Sequence, residues 1–69
     1  MNSTIVIKIQ KLWAECASHL SRVDWINVSI DQHTYVVSYR DRFRRVLDLP
    51  GNEKAKRMAK VGLSFYEEG

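Results

Sequence analysis

The sequence predicts a small all-α domain, helix–helix–short helix, on three observations. Residues 4–23 repeat apolar side chains at helical spacing. A second amphipathic pattern runs from Ser29-Ile30-Asp31-Gln32, which reads as a capping box, to Asp48. Leu49-Pro50-Gly51-Asn52 then breaks the chain, and a third helical pattern continues to about Phe65. The expected helices are about residues 4–23, 30–48 and 52–65.

In the first, Ser3 or Thr4 can serve as N-cap. Ile5, Val6, Ile9, Leu12, Trp13, Cys16, Leu20 and Val23 fall on one face. Lys8, Lys11, Glu15, Ser18 and Arg22 fall on the other, and only Ile7 is out of place. In the second, Tyr35, Val36, Tyr39, Phe43, Val46 and Leu47 gather in an arc of about 120°. A β-hairpin competes for this region, because Ile26, Val28, Ile30 and then Tyr35, Val37, Tyr39 alternate. Its loop, Asp31-Gln32-His33, has no glycine and no favoured hairpin turn, so the helix is preferred. In the third, Asn52 is placed as cap, with Ala55, Met58, Ala59, Leu63 and Tyr66 inward. The residues expected to form the core, or a seam between two copies, are Ile9, Leu12, Trp13, Cys16, Leu20, Val36, Phe43, Val46 and Leu47.

Size limits what these helices can do alone. A domain of 69 residues buries only about 60% of its unfolded surface and usually needs a staple. One cysteine excludes an internal disulfide, and no Cys/His cluster has zinc spacing. Self-association is the staple that remains, so a homodimer is expected. The lone cysteine fits a reducing cytosol. No apolar run reaches the roughly 20 residues of a membrane span, and no signal-peptide pattern is present. A cytoplasmic protein without membrane contact is expected.

No catalytic constellation emerges. The three glycines form no phosphate loop, and Ser18 and His19, being adjacent, point to different sides of a helix. The chain is read as a non-enzyme without cofactor or metal.

What stands out is charge around aromatics. The net charge is +3, but between residues 40 and 60 eight lysines and arginines meet only Asp41, Asp48 and Glu53. Within "SYRDRFRR" (Ser38–Arg45), Arg40, Arg42, Arg44 and Arg45 surround Tyr39 and Phe43. On a helix, Arg40 and Arg44 border the apolar arc on one side and Arg42 on the other, while Arg45 points nearly opposite. Part of this is ordinary solvation, since Asp41–Arg45 and Arg44–Asp48 can pair at i+4. Beyond that, tyrosine and arginine are enriched at binding hot spots, and guanidinium groups grip carboxylates in bidentate fashion. Tyr39, Arg40, Arg42, Arg44 and Arg45 are therefore the candidate partner-binding residues, with Tyr39 as anchor and Arg42 beside it, both of small cost to folding. The partner expected is a protein with an acidic patch. Nucleic acid is the alternative, as for a small dimeric DNA-binding regulator, but Asp41 and Asp48 interrupt the basic run and no complete helix-turn-helix is present.

With its helical pattern, single cysteine, absence of a catalytic motif and Tyr/Arg-rich helix, the chain resembles the small phage-encoded anti-activator, or anti-quorum-sensing, proteins. The resemblance implies a dimer of helical hairpins in the host cytosol. It implies binding and inhibition of a host transcription activator of the quorum-sensing class by occlusion.

Overall fold

The computed structural model describes residues 3–31 and 37–66. Four helices order as α1 (Ser3–Ala17), α2 (Arg22–Ser29), α3 (Tyr39–Leu47) and α4 (Glu53–Ser64). The described residues contain no strand, so the all-α expectation holds and the hairpin alternative does not: residues 26–29, which would have opened it, are helical.

The helix expected over residues 4–23 is two helices. The Ser18 hydroxyl donates back to the Glu15 carbonyl at 2.6 Å, and the amides of His19 and Leu20 bond to the carbonyls three residues earlier. These tight turns end α1. Ser21 then opens α2, its hydroxyl accepting from the Asp24 amide at 3.1 Å. Val23, placed on the apolar face of a long first helix, is instead 67% exposed on the new one.

The helix expected over residues 30–48 begins nine residues late. Ser29 caps nothing: it is the last residue of α2, and its carbonyl accepts from the Val37 amide at 3.0 Å. The cap belongs to Ser38, whose hydroxyl accepts from the Asp41 amide at 3.3 Å. Residues 32–36, which include the expected core residue Val36, lie outside the described residues.

The third helix lies where expected, but its cap works differently. Gly51 and Asn52 both take positive φ, 71° and 58°, a conformation open to glycine and tolerated by asparagine. The Asn52 side chain makes no capping bond. Its amide donates to the Pro50 carbonyl at 3.1 Å and to the Asp24 carboxylate at 3.5 Å, tying the turn to the start of α2.

Helices α3 and α4 return on each other as an antiparallel αα-hairpin, packed along their length rather than splayed as in a helix-turn-helix. α1 packs across both. The core holds Ile9, Trp13 and Cys16 from α1, Val28 from α2, Phe43 and Val46 from α3, and Ala55 and Ala59 from α4. Leu12, Leu20 and Leu47 pack against it half-buried, as do Met58, Leu63 and Tyr66. Trp13 and Phe43 meet edge to face, centroids 5.7 Å apart. The small residues of α4 permit this closeness, and Gly62 lies directly under the Phe43 ring.

Candidate protein-interaction site

Helix α3 carries all five candidate residues, and the fold gives them different tasks. The Arg42 guanidinium is held between two rings, 4.8 Å from the Tyr39 centroid and 5.4 Å from that of Trp13. Its Nε–H donates to the Val37 carbonyl at 2.7 Å. Arg42 therefore fastens the approach to α3 onto α1, and the expectation that its removal costs little in folding does not fit this geometry.

Arg45 was expected to point to solvent or pair with Asp41. It is half-buried, and its guanidinium donates to the carbonyls of Asn27 and Ile30, at 3.3 and 3.5 Å. These acceptors lie at the C-terminal end of α2, where carbonyls lack helical partners and the helix dipole favours a cation. Arg45 is a cap supplied from another helix.

Arg40 and Arg44 remain outward. Both are exposed, and four residues apart they project side by side. Arg44 makes no hydrogen bond or ion pair among the described residues, so its expected pairing with Asp48 does not form. Beside Arg40 stands Tyr66, brought by the antiparallel return of α4. Burial raises the Tyr66 phenol above its ordinary pKa, the neighbouring Tyr39 adds to this, and Arg40 opposes it. Tyr39 is half-buried, with its ring against the core and Arg42 over its face. The result is a surface of two phenols and two exposed guanidinium groups, with Arg42 holding Tyr39 in place.

The sequence reading assigned Tyr66 to the inner face of the last helix and missed its place here. No local pattern announces it, since it depends on how α4 returns. The reading also missed the outer side of α2, where Val23, Ile26 and Ile30 are exposed. Ile26, Asn27, Ile30, Asp31 and Arg45 line an open groove of about 520 Å³ there. Trp25, on the same helix, is 38% exposed and lies outside the core.

The remaining chemistry is quiet. The Cys16 thiol is buried, contacts the Ala55 carbonyl at 3.4 Å, and is pushed by burial from 9.0 to about 11. Among the described residues no three His, Cys, Asp or Glu side chains gather to hold a metal. No described helix is long and apolar enough to cross a membrane. Comparison with known protein families, curated proteins and solved structures gives no match.

Proposed function

We propose that this protein is a non-enzymatic interaction module that binds a host protein and inhibits it by occlusion, as the small phage anti-activators do. The observation that carries the reading is the pair of outward guanidinium groups, Arg40 and Arg44, beside the half-buried phenols of Tyr39 and Tyr66. Rings anchored on one side lose little freedom on binding, and outward, exposed guanidinium groups are ready for carboxylates. The partner presents an acidic patch with room for two rings. A transcription activator of the quorum-sensing class is the target the resemblance suggests.

The test is capture of partners from host cytosol by tagged protein, with and without nuclease. The double variant Arg40→Ala/Arg44→Ala should lose the partner while keeping its melting temperature, and Tyr39→Phe should weaken capture. Each anchor is worth about 2 kcal/mol if it behaves as a hot spot. Retention of the partner by the double variant would refute the assignment.

A DNA-binding regulator is the second reading, favoured by one observation. Lys54, Arg57 and Lys60 are exposed on the outer side of α4. It predicts partners that vanish with nuclease and affinity that falls steeply with salt. The close packing of α3 on α4 speaks against it, because neither of these two helices stands clear to enter a groove.

A further inference from the structure

Helix α2 is attached differently from the other three. It has eight residues, and Val28 is its one buried apolar side chain, at 1% exposure. Ser29 is buried beside it, but its hydroxyl contributes no hydrogen bond among the described residues. Val23, Trp25 and Ile26 are exposed. Among the described residues α2 packs chiefly on α3, whereas α1, α3 and α4 each pack on the other two.

A helix shorter than about 12 residues does not persist unsupported in water. Apart from Val28, what supports this one is polar and sits at its two ends. At the start, the Asp24 carboxylate accepts from the Asn52 side-chain amide at 3.5 Å. At the end, Arg45 donates to the Asn27 and Ile30 carbonyls, at 3.3 and 3.5 Å, in contact with solvent. The Val37 amide donates to the Ser29 carbonyl at 3.0 Å. The flanks are fastened separately. Leu20, ahead of α2, packs against the core, and Val37, after it, is buried and held by Arg42. α2 can therefore leave without dragging either neighbour with it. We infer that α2 is a strap that opens as a unit from a folded body of α1, α3 and α4, with Arg45 and Asn52 as its latches. Opening bares the side of α3 on which Val28 packs and releases the Arg45 guanidinium, next in sequence to the outward Arg44. The inference does not depend on the proposed partner.

Native-state hydrogen exchange tests it. In the closed form the amides of Trp25 and Ile30 bond to the Ser21 and Ile26 carbonyls. They should exchange at least a hundredfold faster, after correction for intrinsic rates, than the amides of Trp13, Phe43 and Ala59 within the body. Low urea should barely speed them, because opening exposes little surface, while the body amides should respond steeply. Variants separate the two openings. Gly62→Ala strains the body in the closed and open forms alike, so body amides should speed by about thirtyfold and α2 amides should not change. Should that variant fail to fold, Ala59→Gly, a milder change in the same body, gives the same contrast. Arg45→Ala loses its bonds in either opening, so it should speed α2 and body amides together, about fivefold. α2 amides as protected as those of the body would overturn the inference. So would α2 amides that speed in step with the body in Gly62→Ala or Ala59→Gly, or that ignore Arg45→Ala.

Discussion

Replacing Gly62 with alanine is the sharpest test of how the hairpin is packed. A Cβ added at Gly62 would lie 2.5 Å from Cε2 and Cζ of Phe43 and 2.7 Å from Cδ2. Ordinary carbon contacts begin near 3.5 Å, so the overlap is about 1 Å over half the ring. The ring has nowhere to retreat: Phe43 is fully buried and pinned edge-on by Trp13. Overpacking of this kind costs about 1–3 kcal/mol, and the severity here puts it at the upper end. Against this, alanine is worth about 1 kcal/mol over glycine in a helix interior. The expected net loss is about 2 kcal/mol, a fall in melting temperature of about 10 °C for a domain this size. Thermal unfolding by circular dichroism reads it directly. A double-mutant cycle with Phe43→Leu makes the cause specific. The smaller side chain makes room, so the two changes together should cost about 1 kcal/mol less than their sum. An unchanged or raised melting temperature for Gly62→Ala, or strict additivity with Phe43→Leu, would show that α3 and α4 are not in this close contact.

Three further outcomes follow from other contacts. Arg42→Ala removes two ring contacts and a charged hydrogen bond and should destabilise by about 2 kcal/mol in urea unfolding; Arg42→Lys should recover less than half of it, and full recovery would contradict the sandwich. The Cys16 thiol titrates near 11 when folded and at its ordinary 9.0 when unfolded, so burial favours the neutral form. That contribution is complete below pH 9 and lost as pH rises to 11, so wild type should lose more stability than Cys16→Ala over that interval. The Ser29 hydroxyl is 2% exposed and has no hydrogen-bond partner among the described residues; Ser29→Ala should raise the urea midpoint, by about 1 kcal/mol in stability, and a fall would reveal a bond.

The helical class and most of the core were legible in the sequence, because period and apolar content suffice for them. Ile9, Trp13, Cys16, Phe43 and Val46 are buried as the wheels placed them. The helix starts were legible too, but from a signal that was passed over. α2 and α3 both open on Ser-x-x-Asp, at Ser21–Asp24 and Ser38–Asp41. The reading chose Ser29-x-x-Gln32, a fuller capping box in composition. Burial decided against it, since Ser29 lies in the interior at the end of α2. The roles of the arginines could not be read from one helix. Arg42 and Arg45 are committed by acceptors and rings on other segments, namely Val37, Trp13 and the end of α2. A wheel shows which way a side chain leaves its own helix and nothing of what waits there. Tyr66 is the same case in reverse, silent in its own segment and placed by the return of α4.

The placing of α4 has a consequence for biosynthesis. Cys16 and Phe43 are sealed by residues of the last helix, Ala55 and Gly62. A nascent chain that has emerged only as far as Pro50 therefore lacks the α4 residues that close over Cys16 and Phe43. It must wait, sticky and open to proteases, until α4 follows. The core is completed only when α4 arrives, so ribosome stalling within α4 should yield degraded fragments rather than a partly functional protein.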